Sequence, residues 1–328
     1  MIAREQHLYI PPDVDINEDD GTIADWEHVF RFNNQLDHYM ISVTGLGMPR
    51  IEYIDESGPL QNGSKILDYR LEDRIIQYLM RVNGRCNRDS YWEKRALLLN
   101  SLRPNRQETG TFQSGRLRVV RPNGVTRDIE AIILQGPVFR PRNPSRWDEH
   151  GFTETLRFRC HDPTFFDPII NNVAWQLDVF KGWIFKSTSY PDNTIFGLNS
   201  IFGTEALSAT STITYTGTAV SYPIITIRGP VTSLSIENQT LDTKIQLYYD
   251  IDAGETVTID TTYGTKSITN DAGDNLIGTQ SSDSDLDLYI APDPIAPDGH
   301  NVFIVTGSGA SAVETLVSMK YYTRYLGV

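Results

Sequence analysis

One stretch decides how the first half of this chain folds, namely Ile75-Ile76-Gln77-Tyr78-Leu79-Met80-Arg81-Val82. It is rich in β-forming residues and apolar on both faces, which predicts a strand in the interior of a sheet. A helix of roughly four turns is expected next, from Ser90 to Leu102, because Ser90 and Glu93 have the spacing of a capping box, with Asn87 or Asp89 as alternative caps. Pro104 ends that helix, since it lacks the N–H that a further turn would need. This order predicts an α+β N-terminal domain with one prominent helix.

The helix and the residues after it show which faces should be buried. Six residues of the helix are expected on one apolar face: Tyr91, Trp92, Ala96, Leu98, Leu99 and Leu102. Strands are then expected at 116–121 and 127–134, and Asn123-Gly124 between them suits the tight turn of a hairpin. Residues 153–160 alternate cleanly, with Leu156 and Phe158 on one side, and predict another strand.

Composition places the chain among globular proteins that are rich in β structure. Its 328 residues suggest two domains, and 39% are hydrophobic against 22% charged. No apolar run approaches the roughly 18 residues of a membrane span, and we expect neither a membrane segment nor a signal peptide. The two cysteines, Cys86 and Cys160, do not form a disulfide framework and are expected as partly buried thiols in a reducing cytoplasm.

The net charge of −13 is unevenly distributed along the chain. Residues 1–64 carry 3 basic and 12 acidic side chains, residues 65–159 carry 19 and 11, and residues 160–328 carry 7 and 19. A basic middle segment could bind nucleic acid. Its arginines, however, alternate with apolar residues in predicted strands, which favours a solvated or subunit-facing surface, so we expect no specific nucleic-acid binding. Acidic segments that meet a basic one also suit self-assembly.

No group of residues indicates catalysis, a metal site or a cofactor. The core contains no nucleophile paired with a base, and no glycine-rich loop precedes the helix. Cys160 and His161 are adjacent in a strand and point to opposite faces, so they cannot readily share a metal ion. Pairs of carboxylates can be nominated for glycoside hydrolysis, but none is favoured over the others. We therefore expect a protein that is not an enzyme.

The second half of the chain predicts an antiparallel β-sandwich or jelly roll. From Ser211 onward, short strands separated by turns recur about every ten residues, at 211–215, 222–228, 233–236, 244–249, 255–260, 265–269, 286–290, 301–305 and 315–325. The last of them alternates, with Val317, Met319 and Tyr321 on one side. Before them, residues 169–210 contain an aromatic series broken by Pro and Asn. We therefore expect an N-terminal domain at 1–168, a connecting aromatic segment at 169–210 and a C-terminal sandwich at 211–328. The fold class is mainly β.

Several motifs, in this order and at these spacings, resemble the siphophage distal tail proteins. The N-terminal ones are Ile41-Ser42-Val43-Thr44-Gly45-Leu46-Gly47, Arg74-Ile75-Ile76-Gln77, the helix end Leu97-Leu98-Leu99-Asn100-Ser101-Leu102-Arg103-Pro104, and His161-Asp162-Pro163-Thr164-Phe165-Phe166-Asp167-Pro168. Those of the second half are Tyr222-Pro223-Ile224-Ile225-Thr226-Ile227-Arg228-Gly229-Pro230 and Gly254-Glu255-Thr256-Val257-Thr258-Ile259-Asp260. The resemblance covers nearly the whole chain and implies a galectin-like C-terminal domain.

The resemblance also implies a function in the virion. It implies a homohexameric ring at the distal end of a long, non-contractile phage tail, made in the cytoplasm of the bacterial host. The ring would join the tail tube protein to the tail tip or baseplate and attach the tail-associated lysin or fibre-bearing proteins that adsorb to the host. Sugar binding is not implied, because His300-Asn301-Val302-Phe303 breaks the His-x-Asn-x-Arg pattern of true galectins.

Two sets of residues are candidates for contacts. The turn-rich segment 44–66 is the candidate for a projecting element that grips a neighbouring subunit, with Ile51, Ile54, Asn62 and Gly63 at the interface. The alternative function is a carbohydrate-binding module that recognises glycans of the host surface. In that case Trp175 and Trp183 would contact the glycan, since aromatic faces stack on sugars, although packing inside the protein explains them as well.

Overall fold

The structure is a computed structural model that describes residues 5–33, 38–59, 62–82, 88–104, 113–138, 152–176, 178–179, 183–184, 201–202, 206–310 and 314–328. The chain divides into two compact units. The first unit consists of Met1–Ile169 together with Arg324–Val328, and the second is Ile170–Thr323. Antiparallel sheets dominate both units, and the described part contains a single α-helix, so the fold is mainly β as predicted.

The elements follow one another along the chain in this order. Those before residue 170 are β1 (Gln6–Ile10), β2 (Phe30–Arg31), β3 (His38–Thr44), β4 (Ile51–Glu56), β5 (Lys65–Leu71), β6 (Arg74–Val82), α1 (Arg88–Ser101), β7 (Gly115–Val120), β8 (Thr126–Gln135), β9 (Phe152–Cys160) and β10 (Phe165–Phe166). Those after it are β11 (Asn171–Gln176), β12 (Asp178–Val179), β13 (Trp183–Ile184), β14 (Ile201–Phe202), β15 (Ala206–Thr214), β16 (Ile224–Arg228), β17 (Thr232–Asn238), β18 (Thr243–Gln246), β19 (Thr256–Asp260), β20 (Ser267–Asn270), two 3-10 turns (Ile277–Thr279 and Pro297–Gly299), β21 (His300–Ser308), β22 (Leu316–Tyr321) and β23 (Arg324–Tyr325).

The first unit is built on one antiparallel sheet with the strand order β2-β1-β7-β8-β9-β6-β3. Strand β6 lies inside it, between β9 and β3, as its sequence predicted. One face of β6 and β9 is fully buried, because alternate side chains point the same way: Ile76, Tyr78, Met80, Leu156, Phe158 and Cys160. The predicted hairpin is present as β7 and β8, and Gly124 has the positive φ of 85° that its turn requires.

Helix α1 buries a different face from the one that its sequence predicted. Leu98 and Leu102 pack into the core of the first unit. Trp92 and Leu99, which were expected beside them, are instead exposed, and so is Ala96. Periodicity locates the apolar residues of a helix but not the side on which the rest of the subunit lies. The expectation of one buried six-residue face is therefore wrong for these three residues.

The last five residues of the chain belong to the first unit rather than to the sandwich. Strand β23 pairs with β10, and the backbone N–H of Val328 donates to the carbonyl of Leu46 over 3.1 Å. The buried guanidinium of Arg74 holds three separate segments. Its Nε donates to the carbonyl of Pro163 at 2.7 Å and its Nη2 to that of Leu326 at 2.6 Å, while Nη1 donates to the carbonyls of Gly45 (2.7 Å) and Gly47. These hydrogen bonds hold the C-terminal residues against the rest of the first unit.

The second unit is a sandwich of two five-stranded antiparallel sheets. One sheet has the order β11-β22-β16-β19-β20 and the other β12-β15-β21-β17-β18, and their inner faces share one hydrophobic core. Strand β22 alternates as predicted, with Val317, Met319 and Tyr321 inside. Two expectations differ from the structure. Part of the 169–210 segment forms strands of this unit, and residues 286–290 form turns with a single bridge from Ile290 to Ser221 instead of a strand.

Candidate functional site

Exposed apolar side chains concentrate in the first unit. Of the 22 large hydrophobic residues that are exposed in the described part of the chain, 16 lie in this unit. Single exposed apolar residues are ordinary, whereas contiguous ones mark surfaces that contact other molecules. Five of the sixteen occur within β4 and β5, namely Tyr53, Ile54, Ile66, Leu67 and Tyr69. These two strands are therefore the leading candidate for a functional surface.

Strands β4 and β5 form a two-stranded hairpin of their own. Among the described residues they pair only with each other, with Ile51 opposite Leu71 and Tyr53 opposite Tyr69. Their alternating sequences favour strands, and Gly63 in the connection has a φ of 87°, which glycine adopts without strain. A hairpin that stands outside a larger sheet gains little stability from its own contacts. Its exposed apolar side chains therefore mark it as a surface suited to contact another molecule.

The register gives the hairpin two faces of opposite character. Side chains of directly paired residues lie on the same face, and a bulge between Ile54 and Asp55 places both Ile66 and Leu67 with Tyr69. The apolar face of the hairpin consists of Ile51, Tyr53, Ile66, Leu67, Tyr69 and Leu71, with Asp55 at its end. The charged face consists of Glu52, Ile54, Glu56, Lys65, Asp68 and Arg70, and includes an ion pair between Glu52 and Arg70. The hairpin is thus an amphipathic ribbon.

The four predicted interface residues all lie in this hairpin, but they do not share one face. Ile51 is half-buried on the apolar face, whereas Ile54 is exposed on the charged face. Asn62 and Gly63 are exposed in the connection between the strands. Tyr53, Tyr69 and Leu67 were not singled out from the sequence. Their alternation with Glu52 and Asp68 was a usable signal, because it separates an apolar face from a charged one.

The two tryptophans considered for glycan contact lie in the second unit. Trp175 is buried in the core of the sandwich, with its ring centroid 6.3 Å from that of Phe303, so it offers no face to a sugar. The backbone of Trp183 pairs with that of Phe202, and the side chain of Trp183 lies outside the described part of the structure.

Across the described ranges, no three His, Cys, Asp or Glu side chains are grouped so that they could hold a metal ion. Burial raises the pKa of Cys160 to about 12, so this thiol stays protonated and unreactive at neutral pH. Cys86 lies outside the described residues. Within those same ranges, no helix is both long enough and apolar enough to cross a bilayer.

One family model and several solved structures are similar to this chain. Residues 216–325 match the family model described as the Siphovirus-type tail component, C-terminal domain. The crystal structure of the Dit (gp 19.1) protein of phage SPP1 is similar with a TM-score of 0.58 at 11% identity, over 97% of this chain and 98% of that one. That protein is described as a paradigm of the hub adsorption apparatus in phages that infect Gram-positive bacteria.

Two structures of the activated baseplate of phage p2 are more distant. The one with Ca has a TM-score of 0.43 at 10% identity over 99% of both chains, and the one with Sr has 0.41 at 10% over 97% of both chains. No curated protein sequence matches the chain. Residues 216–325 are therefore similar to the C-terminal domain of Siphovirus-type tail components, and the chain as a whole has the fold of the SPP1 Dit protein, in agreement with the resemblance to the siphophage distal tail proteins.

Proposed function

We propose that this chain is a structural hub protein at the distal end of a long, non-contractile phage tail. Six copies of the first unit close into a ring that joins the tail tube protein to the tail tip or baseplate. The ring carries the tail-associated lysin or fibre-bearing proteins that adsorb to the host. The observation that carries this proposal is the amphipathic hairpin β4–β5, exposed on a chain that has the fold of a phage hub protein.

The hairpin supplies a physical reason for assembly. Its apolar face bears Tyr53, Ile66, Leu67 and Tyr69, each 54–62% exposed in the single chain. Covering such side chains stabilises a contact by about 25 cal/mol for each Å² of apolar surface removed from water. A contact between two different surfaces of identical copies repeats around an axis and closes into a ring when the rotation between the copies permits it. The hairpin is well suited to be one of those two surfaces.

The proposal assigns no catalysis and no cofactor to this chain. Its work is to hold other tail proteins, in a virion that is assembled in the cytoplasm of the bacterial host. The C-terminal unit, for which a galectin-like fold was expected, serves as the attachment module.

The glycan-binding alternative has lost one of the two residues on which it rested, because Trp175 lies in the core. Trp183 remains as its candidate contact. A glycan array of host cell-wall fragments tests this alternative directly. Binding that is lost in a Trp183→Ala variant would support it, and an array with no signal would dispose of it.

The mass of the purified protein in solution tests the proposed ring. Light scattering over a range of protein and salt concentrations should show a closed particle of about 220 kDa, since one chain has a mass of 37.1 kDa. Negative-stain images should show rings with sixfold symmetry. A particle that keeps the mass of one chain under all conditions would contradict a ring that closes by itself.

Two neighbouring residues provide a matched pair of variants. Tyr53 and Ile54 are both exposed, but they lie on the apolar and the charged face of the hairpin respectively. Tyr53→Lys should abolish the large particle and leave a folded monomer with an unchanged circular dichroism spectrum. Ile54→Lys should assemble like the wild type. Equal assembly of both variants would show that the apolar face of the hairpin is not a contact surface.

A further inference from the structure

Asparagine followed by glycine is the sequence most prone to lose its side-chain amide, and this chain contains three such pairs. They are Asn62-Gly63, Asn83-Gly84 and Asn123-Gly124. Because glycine has no side chain, its backbone nitrogen can approach the side chain of the preceding asparagine closely. The second pair lies outside the described residues. The first and third pairs lie in the connections of two hairpins, and the structure gives them different surroundings.

The pair in the connection between β7 and β8 is held at both groups that deamidation uses. The backbone N–H of Gly124 donates to the carbonyl of Arg121 over 2.9 Å. The side-chain oxygen of Asn123 accepts a hydrogen bond from the backbone N–H of Val125 at 3.1 Å. The first bond occupies the attacking nitrogen and the second fixes the amide that would be attacked. Reaction at Asn123 therefore requires that both hydrogen bonds open first.

The pair in the connection between β4 and β5 has no such restraint. Among the described residues, neither the backbone N–H of Gly63 nor the side chain of Asn62 makes a hydrogen bond, and both residues are exposed. Gly63 and Gly124 have almost the same φ, 87° and 85°, so the two sites differ in their hydrogen bonds rather than in this angle. The connection spans 57–64, which is longer than the connection 121–125 of the other hairpin.

We propose that Asn62 is a site of spontaneous deamidation. The backbone nitrogen of Gly63 forms a bond to Cγ of Asn62, and the bond from Cγ to the side-chain nitrogen breaks. That nitrogen leaves as ammonia and takes the proton from the Gly63 N–H. Water then opens the cyclic imide at one of its two carbonyl carbons. Opening at Cγ leaves aspartate, and opening at the backbone carbonyl leaves isoaspartate, in which the chain runs through Cγ.

Deamidation changes the charge of the hairpin and leaves its strand pairing in place. Residues 51–73 contain two basic and six acidic side chains, and the reaction adds a seventh carboxylate. Isoaspartate also lengthens the connection by one backbone carbon. The pairing is unaffected, because the last pair of the ladder is Glu56 with Lys65 and Asn62 lies beyond it. The reaction needs only Asn62, Gly63 and water, so this inference does not depend on the proposed ring.

Peptide mapping of the incubated full-length protein tests the proposal. Trypsin places the two sites in peptides 51–65 and 119–127, and mass spectrometry follows the conversion of amide to acid in each. In the folded protein at mildly alkaline pH, peptide 51–65 should convert at least about ten-fold faster, because two hydrogen bonds must open before Asn123 reacts. In urea the two rates should become equal, since glycine follows both asparagines. Labelling by an isoaspartyl methyltransferase should appear in peptide 51–65 of the folded protein.

Variants separate this result from the question of assembly. Asn62→Gln should abolish the conversion and the labelling of peptide 51–65, whereas Asn123→Gln should leave both unchanged. Tyr53→Lys, in which the proposed ring cannot form, should still convert Asn62 ahead of Asn123. If Asn62 reacts no faster than Asn123 in both the folded wild type and folded Tyr53→Lys, the proposal is overturned whether or not the ring exists.

Discussion

Replacing Arg74 should release the chain end from the first unit. The side chain of Arg74 is buried, donates to four backbone carbonyls, and lies with its guanidinium carbon 4.8 Å from the centroid of the Phe165 ring. Burial lowers the pKa of Arg74 to about 10, so the group remains protonated at neutral pH and keeps all its donors. In Arg74→Met, those four carbonyls lose a charged donor, and three segments lose their common partner.

The loss of stability expected for Arg74→Met is the balance of two opposing effects. A hydrogen bond from a charged group contributes about 1.5–3 kcal/mol, and Arg74 makes four, but removing the buried charge also removes the cost of taking it out of water. We expect Arg74→Met to lower the free energy of unfolding of the first unit by about 3 kcal/mol, because a buried acceptor that loses its donor costs about 1–3 kcal/mol and part of this loss is offset by removal of the buried charge. Arg50 provides the control, because its side chain is 81% exposed and makes one ion pair with Glu72 at 3.2 Å. Arg50→Met should change the stability by about 0.5 kcal/mol or less.

Urea unfolding and hydrogen exchange together measure this effect. The unfolding midpoint of Arg74→Met should fall well below that of the wild type, and that of Arg50→Met should not. Hydrogen exchange, followed by mass spectrometry of the C-terminal peptide, should quicken in Arg74→Met, because the amide of Val328 is held by the carbonyl of Leu46. Equal midpoints for both variants, with an unchanged exchange rate of the C-terminal peptide, would refute the conclusion that Arg74 holds the C-terminal residues in place.

Four further outcomes follow from the buried groups of the first unit. Leu98→Ala should lower its stability by about 2–5 kcal/mol and Leu97→Ala by less than about 1 kcal/mol in thermal unfolding, because Leu98 is fully buried and Leu97 is exposed. Arg118→Met should cost about 3–5 kcal/mol by leaving Asp128 buried without its partner at 2.7 Å, and the double variant Arg118→Met/Asp128→Leu should recover part of that loss in the same assay. Cys160 should resist iodoacetamide at pH 8 until the protein unfolds, because burial keeps the pKa of its thiol at about 12; labelling at the rate of a free thiol would contradict its burial. Burial lowers the pKa of His7 in the folded state, so the unfolded chain binds more protons; stability should fall as the pH drops below about 6.5, and His7→Gln should flatten that decline in urea titrations at several pH values.

The sequence predicted the positions of the strands better than it predicted which side chains of the helix are buried. Strands β6 and β9, and the hairpin of β7 and β8, were predictable because strict alternation and an Asn-Gly turn depend on local chemistry. The buried face of α1 was not, since an apolar residue that stays exposed looks the same in sequence as one that packs in the core. Leu98 and Leu99 illustrate this, because they are adjacent and identical in type, yet Leu98 is buried in the core and Leu99 is exposed to solvent.

Long-range pairing accounts for the other differences. Nothing near Arg324 indicates that it pairs with Phe166, because that contact joins residues far apart in the sequence. For the same reason Trp175 could be recognised as aromatic but not as a core residue, since its position depends on β11 pairing with β22. In the hairpin, alternation within one strand already separates Ile51 from Ile54, because residues three apart in a strand point to opposite faces. The position of both Ile66 and Leu67 on the apolar face depends instead on the bulge, which is set by which residues pair.

The return of the chain end makes the second unit an insertion into the first. Asn171 pairs with Tyr321, and its side-chain amide donates to the hydroxyl of Thr323 over 3.0 Å, so the unit begins and ends at neighbouring points. On the other side of the junction, Phe166 pairs with Arg324. A short linker from Ile169 to Arg324 would therefore close the first unit without its insert, and a sandwich from another source could be spliced in at the same two residues. Exchange at this one location would replace the sandwich while every strand pairing within the first unit stays unchanged.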